Sequence, residues 1–526
     1  MHLNIRGFVS HQAELQHRIA QSGFPDLVGI TESFLDKSTS TAALIGYTLI
    51  SRLDRRDGRQ GGGIALFARD SIASNIVHIA DSPLSERSWH ILHTHQGPLL
   101  VGLWYRPPCY GEIASITSLE QEWHTHSSNA VGTVLFGDMN VHNKQWLVFS
   151  GGTPPEGREL FSVCSRLGLI QKVQHPTRDK NLLDLFLTDI PSGVRCKVLP
   201  KISDHNIVLT CMSLQVAQSA PIPREYFNYD AADWVGLNNV LEQKDWSLLF
   251  ASHSADIATD FFVTYVLETS RKSIPTCRRL MTKSTHPWLN DRCKTLINDK
   301  TRAESTVAYE EKQRLCSEGL LCEYNAYIPC IRQRIMGLQS SSKKWWKLSG
   351  ALMFKSGQVS AVPPVLSLSG VWCINAENKA QAFADCFSTK YVMPEAIVNR
   401  YTPISISDAV PMSGWLPIRT RHAKKILKGI REDSGTGPDL LSAKILKKCH
   451  RVLSLPIVLL CRLILSSGRW PAQWKIHWIY PLYKKLARSH PPNYRGIHLT
   501  PQLSKVVERV FAIHFAIFFG DVRGIW

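Results

Sequence analysis

The feature that most constrains this chain is an apolar run ending on glycine, aspartate and asparagine: TVLFGDMN, Thr133 to Asn140. A short continuous apolar run without alternation reads as a strand buried on both faces, and such a strand needs cover on each side of its sheet. Asp138 and Asn140 then emerge at the strand's end. An aspartate there either shapes a turn or serves a site, and the choice rests on partners elsewhere in the chain.

From residue 1 to about 215 the same arrangement recurs. DLVGITES brings Glu32 just past a strand, LLVGLWYRPP brings Tyr105, LLDLFLT carries Asp184 within one, and ISDHNIVLT sets Ser203, Asp204 and His205 ahead of another. GIALFAR adds a further strand, while HQAELQHRIAQSG, closing on Gly23, and GRELFSVCSRLGL are expected as helices. Short strands alternating with helices predict a layered α/β domain, in which strand ends gather at one edge and ligand sites form there.

Asp184 lies in apolar surroundings, where an ionised carboxylate is costly unless paired. His205 is the natural partner; the pair would fix the imidazole tautomer, favour its protonated form and leave a donor for a phosphate oxygen. Glu32 with Asn4 offers hard oxygen ligands, which suit magnesium or manganese better than zinc. Asp138 with Asn140 could orient and deprotonate water for in-line attack on a phosphodiester. Taken singly, each residue has a plainer reading: Glu32 and Asp204 as caps or turn residues, Tyr105 as core edge, His205 as a structural histidine. GRQGGGIALF reads as a glycine turn feeding a strand, since it lacks the spacing of a phosphate-cradling loop.

The 526 residues suggest two to four domains. Residues 216–420 read as a mainly helical, basic stretch, and a third region opens near 421. With 61 Lys and Arg against 43 Asp and Glu the formal charge is +18, which favours a polyanionic partner, nucleic acid first and an anionic membrane surface second. Arg52, Arg55, Arg56 and Arg59 of SRLDRRDGRQ form either a DNA-facing hairpin or a solvated charged turn. Thirteen cysteines show no zinc-ligand spacing, which points to a reduced intracellular protein without zinc. Apolar runs such as PIVLLCRLIL and FAIHFAIFF fall short of a membrane span and read as buried helices, and the amino terminus lacks the apolar core of a signal peptide.

The ordered set of N-x-x-G at Asn4 to Gly7, then TES, YRPP, GDMN, LLDLFLT and SDH resembles the endonuclease/exonuclease/phosphatase superfamily. Within it the set is most similar to the apurinic-type endonuclease domain of non-LTR retrotransposons. The resemblance implies a four-layered, DNase I-like α/β sandwich over residues 1–215 and a Mg2+ or Mn2+ cofactor. It implies a metal site at Asn4, Glu32 and Asp204, and Tyr105 beside the scissile phosphate. Asp138 would activate water with help from Asn140, Asp184 would orient His205, and Ser203 would support the loop. Arg6 stands where repair members carry an aspartate, which argues against abasic-site repair more than against nicking. Met1 precedes Asn4 by only three residues, so a short first strand and a frayed sheet edge are expected.

PWLNDRCKTL and SSSKKWWKLSG resemble the linker of such elements. GTGPDLLSAKILKKC, WPAQWKIHWIYPLYKK and NYRGIHL resemble the opening of their reverse transcriptase, an incomplete fingers region over 421–526, with Arg495 near incoming nucleotide or template. No acidic pair of a polymerase palm follows, so reverse transcription is not expected from this chain. The expected activity is nicking of duplex DNA to leave a 3′ hydroxyl for target-primed reverse transcription, with element RNA a further partner. Nuclear residence follows from the substrate alone. Two rivals stand beside this: a catalytically dead nucleic-acid-binding remnant, and a phosphodiesterase or phosphatase of the same superfamily.

Overall fold

The computed structural model describes residues 1–36, 42–55, 61–217, 224–247, 254–279, 290–303, 306–338, 342, 345, 346, 348, 349, 362–389 and 418–519. Contacts group the chain into two compact units. The first comprises Met1–Pro221, Thr282–Asp385 and Lys485–Asn493, and the second Ile222–Met281, Cys386–Lys484 and Tyr494–Trp526.

The first unit runs β1 (His2–Asn4), α1 (Phe8–Gln21), β2 (Leu27–Thr31), β3 (Tyr47–Leu53), β4 (Ile64–Arg69), β5 (Ile76–Asp81), β6 (Glu86–Thr94) and β7 (Gly97–Tyr105). It continues through α2 (Ala114–His126), β8 (Gly132–Asp138), α3 (Pro155–Leu167), β9 (Ile170–Gln171), β10 (Asp184–Thr188), β11 (Arg195–Leu199) and β12 (Ile207–Cys211). Twelve strands form two six-stranded sheets, ordered β11-β12-β1-β2-β4-β3 and β5-β6-β7-β8-β10-β9. This is the α/β sandwich expected from the sequence.

The first strand departs from expectation. β1 pairs parallel with β2 and antiparallel with β12, so it is an interior strand of its sheet, and all three of its residues are buried. The crossover through α1 sets β1 beside β2, and the return of β12 covers its other edge. A short strand held on both sides does not fray.

The sheets pack face to face, with α1 covering one through Phe8, Leu15 and Ile19, and α2 and α3 covering the other through Ile116, Leu119, Leu160 and Val163. Every residue of β8 is buried, as its apolar run requires. Burial of each large apolar side chain contributes about 1.5–3 kcal/mol. Gly29 of β2 lies where the sheets meet: a Cβ there would run into the Phe136 ring and Leu103, so the close approach needs a residue without a side chain.

Helices Asp291–Arg302 and Tyr309–Met336 belong to this unit. The second unit is mainly helical, around Phe262, Val266, Leu427, Ile457, Leu460 and Val507. PIVLLCRLIL lies in the helix Ser454–Ser467, closed by Gly468 in the left-handed region at φ 62°, and its apolar side chains are largely buried. The hairpin Trp478–Tyr483 with Tyr494–Leu499 leaves Arg495 exposed. Among the described residues no helix is long and apolar enough to cross a membrane.

Candidate active site

The two sheets deliver polar residues to a common edge. On one sheet Glu86, Tyr105, Asp138 and Asp184 stand side by side across four strands, because Glu86 is in register with Tyr105, Tyr105 with Asp138, and Asp138 with Asp184. On the other, Asn4 ends β1 opposite Thr31, and Glu32 follows directly. The segment Ser203 to His205 enters β12, which runs antiparallel to β1, and so arrives at the same end.

Asn4 joins the two rows. Its side-chain amide, fully buried, donates to Glu32 Oε1 at 2.8 Å and to Asp138 Oδ2 at 2.8 Å. Tyr105 donates its hydroxyl to Glu32 Oε1 at 3.1 Å. His205 Nδ1 lies 2.8 Å from Asp184 Oδ2, and its Nε2 lies 3.9 Å from Asp138 Oδ2. Ser203 Oγ donates to the Asn4 carbonyl at 2.8 Å, which ties the loop to β1. Asn140 holds Asp138 through its backbone N–H, 3.2 Å from Oδ1, while its side-chain amide donates to the Arg106 carbonyl at 2.9 Å. The structure thus brings Asn4, Glu32, Tyr105, Asp138, Asn140, Asp184, Ser203 and His205 together.

The backbone is bent to reach this geometry. Glu32 and Asn140 both adopt positive φ, 49° and 46°, which costs a non-glycine residue energy, less for asparagine than for glutamate. Gly137 sits at φ 149°, and a Cβ there would fall on the Trp104 carbonyl oxygen of the adjacent strand. The glycine before the aspartate is therefore what lets β8 stay against β7 up to its last residue.

Asp204 is placed differently from its neighbours. Its carboxylate lies 2.9 Å from Arg178 Nη2 and 3.5 Å from Arg6 Nη1, at the half-exposed rim. A cation shared by Asn4, Glu32 and Asp204 would compete with these arginines. Of the four arginines on the expected DNA-facing hairpin, Arg56 and Arg59 lie outside the described residues. Arg52 and Arg55 turn inward: Arg52 pairs with Asp54 at 2.7 Å, and Arg55 pairs with Glu86 at 2.8 Å beneath its stack on the Tyr105 ring, 5.6 Å from the centroid. Only 17% and 13% of these side chains is exposed, and each is held by a carboxylate, Asp54 half-exposed and Glu86 largely buried.

Residues 1–205 match the profile of the Endonuclease/Exonuclease/phosphatase family. Residues 1–205 are an endonuclease/exonuclease/phosphatase-family domain. A Drosophila melanogaster protein described as a probable RNA-directed DNA polymerase from transposon X-element is 21% identical over 529 residues, covering 91% of this chain and 54% of its own. The chain spans about half the length of that curated relative. Among solved structures, the endonuclease domain of TRAS1, a telomere-specific non-LTR retrotransposon, matches at 17% identity and a TM-score of 0.33, over 41% of this chain and 97% of that one. An AP endonuclease from Archaeoglobus fulgidus matches at 14% identity and a TM-score of 0.31, over 40% and 98%.

Within the endonuclease/exonuclease/phosphatase domain the buried acids titrate apart. Burial and the Asp184 charge push Asp138 up to about 7. Burial would raise Asp184 as well, but the charge and hydrogen bond of His205 outweigh it and hold Asp184 below the usual carboxylate range. Burial alone would lower His205; the Asp184 carboxylate more than offsets it and carries the imidazole to about 9. His205 is therefore an imidazolium at neutral pH, donating Nδ1–H to Asp184. Its Nε2 is buried and, among the described residues, has no hydrogen-bond partner, a spare donor beside the acids.

Asp138, Asp184 and His205 lie close enough together to hold an ion. A protonated imidazole is no ligand, so the chemistry favours carboxylate and amide oxygens over His205. Three carboxylates, Glu32, Asp138 and Asp184, converge here with Asp138 raised by burial and by its acidic neighbour, an excess of negative charge that a hard divalent cation relieves. The residues fit such a group.

Sequence reasoning missed three contributors. Glu86 accepts from Arg55 and from the Gly63 N–H, fastening the β3–β4 connection beside Tyr105. His2 approaches Asp184 Oδ1 at 3.4 Å from the side opposite His205, and burial takes its pKa down to about 4 despite that carboxylate. Thr177 receives the backbone N–H groups of Leu183 and Asp184 on its hydroxyl. The available signal was alternation: Glu86, Ser88 and His90 share one face of β6, whose charged residues hid it as a strand.

Proposed function

We propose that the endonuclease/exonuclease/phosphatase domain is a magnesium-dependent endonuclease that nicks one strand of duplex DNA and leaves a 3′ hydroxyl, for target-primed reverse transcription. The observation that carries this reading is the unbroken set of contacts from His205 through Asp184 on one side and from Asp138 through Asn4 to Glu32 and Tyr105 on the other.

In this reading Asp138 accepts a proton from water. A carboxylate held near neutrality is a better base than an ordinary one, and Asn140 fixes its orientation. The water oxygen bonds to phosphorus as the bond to the 3′ oxygen breaks, in line, and the departing 3′ oxygen takes a proton from solvent to become the 3′ hydroxyl. His205 aims its spare N–H at a non-bridging phosphate oxygen, where negative charge grows. Burial, with Glu32 and Asp138 nearby, pushes the Tyr105 phenol upward, so it stays protonated beside the phosphate as a donor. A divalent cation, when bound, would neutralise charge on the phosphoryl group; Glu32 and Asn4 would hold it, and Asp204 would join them on releasing Arg178 and Arg6.

The remaining chain is read as a basic linker over 216–420 and a reverse transcriptase fingers fragment over 421–526, where the exposed Arg495 offers a cation to nucleic acid. The test is relaxation of supercoiled plasmid by the full chain with magnesium and with EDTA, followed by extension of the product with a DNA polymerase. Magnesium-dependent nicks that extend without end repair support the reading. Plasmid bound but left intact would make the chain a binding remnant, and faster hydrolysis of inositol or lipid phosphates would move it to that class.

A further inference from the structure

Four consecutive residues carry the loop that delivers His205, and each is tied down by a separate partner. Ser203 is held by the Asn4 carbonyl, Asp204 by Arg178 and His205 by Asp184, all within residues 1–205. The tie at Ile202 comes from far along the chain: Lys300 Nζ donates to the Ile202 carbonyl at 2.9 Å.

Lys300 stands in a place built for an apolar residue. On the helix Asp291–Arg302 the buried positions are Cys293, Ile297 and Lys300, a stripe at helical spacing. Its ammonium also donates to Glu14 Oε1 at 3.0 Å and Oε2 at 2.9 Å, so all three protons are used, and the two side chains are only 2% and 5% exposed. Glu14 projects from α1, directly after β1 and Asn4. The same helices meet again at Asn298, which accepts from Gln21 at 3.1 Å and lies 3.2 Å from His17 Nε2. A buried lysine is retained only where each proton has a partner, and here the third partner is the loop itself.

We propose that Lys300 is a positioning residue for the nuclease site: through the Ile202 carbonyl it sets the loop that places His205 against Asp184, and so makes activity depend on a helix outside residues 1–205. This rests on the nuclease reading of the site. One ammonium joins α1, the loop and the later helix, so losing it frees the loop at its first residue while the Asp184–His205 pair remains at the other end.

The experiment compares the full chain with Lys300→Met and with the double variant Glu14→Gln/Lys300→Met. It reads thermal melting, magnesium-dependent plasmid nicking, and deuterium exchange of the peptide spanning 199–207. The single variant leaves Glu14 as an unpaired buried carboxylate and loses stability as well as activity. The double variant removes that charge and melts near the wild-type temperature, yet its kcat stays down by about tenfold with KM little changed, since a slightly misplaced group slows chemistry more than binding. Its 199–207 peptide exchanges faster by a similar factor. A double variant that nicks and exchanges like the wild type would confine Lys300 to fold stability and overturn the proposal. Should the wild-type chain not nick at all, the functional reading fails and exchange alone decides: faster exchange supports the tether, and unchanged exchange overturns it.

Discussion

Asn4 carries no charge, yet it holds two carboxylates at once and is the joint between the two sheets' contributions to the site. Replacing it with alanine removes both donors and leaves Asp138 and Glu32 facing one another without relief. Asn4→Ala is expected to cost about 1–3 kcal/mol in thermal or denaturant melting and to lower plasmid nicking by about a hundredfold. A second residue gives the fold a pH dependence. His90 is buried between the sheets, where Ser51 Oγ lies 2.7 Å from Nε2 and the Val101 carbonyl 3.1 Å from Nδ1, an arrangement that suits the neutral ring. Burial brings its pKa from 6.5 to about 3. With the folded value depressed, protons bind the unfolded chain first. Stability is full above about pH 6.5 and falls on acidification by about 1.4 kcal/mol per pH unit from this group until the folded pKa is reached. Melting followed from pH 7.5 to 5 should therefore fall less steeply in His90→Asn than in the wild-type chain, and equal slopes would show that His90 is not the group responsible.

β8 shows what sequence pattern makes legible and what it hides. Its apolar run, its burial on both faces and the glycine before Asp138 could all be read from TVLFGD, because a strand covered on both faces leaves no alternation and a glycine in such a strand signals a close approach. Gly137→Ala would force a methyl group onto the Trp104 carbonyl, separating β7 from β8. The expected loss is about 1–3 kcal/mol by denaturant melting, with Asp138 displaced and nicking reduced. β6 was not legible. The sequence pattern marks no strand there: Arg87, Ser88 and His90 are polar, yet Arg87 is fully buried against Glu122 at 2.8 Å and the Trp104 ring at 4.6 Å, partners that only tertiary packing supplies. For the same reason Arg52 and Arg55 read as either a DNA-facing hairpin or a solvated charged turn, and neither reading reveals that Asp54 and Glu86 hold them. β1 looked like a short strand at an edge because its partner β12 lies some 200 residues downstream, a pairing no local pattern reveals.

At the scale of the whole molecule, a charge of +18 predicts sequence-independent, salt-sensitive DNA binding. Affinity for plasmid should fall at least about tenfold between roughly 50 and roughly 200 mM salt, and a flat response would remove phosphate contact as its basis. The central claim, however, concerns chemistry at one edge of the sandwich. It is tested most directly by measuring supercoiled-plasmid nicking with magnesium for the full chain beside Asp138→Asn and His205→Ala, with circular dichroism to confirm folding. The account predicts nicking by the wild type, reduced by about a hundredfold or more in each folded variant, since each removes a group acting on the reacting phosphate. Nicking by Asp138→Asn or His205→Ala at the wild-type rate would contradict it.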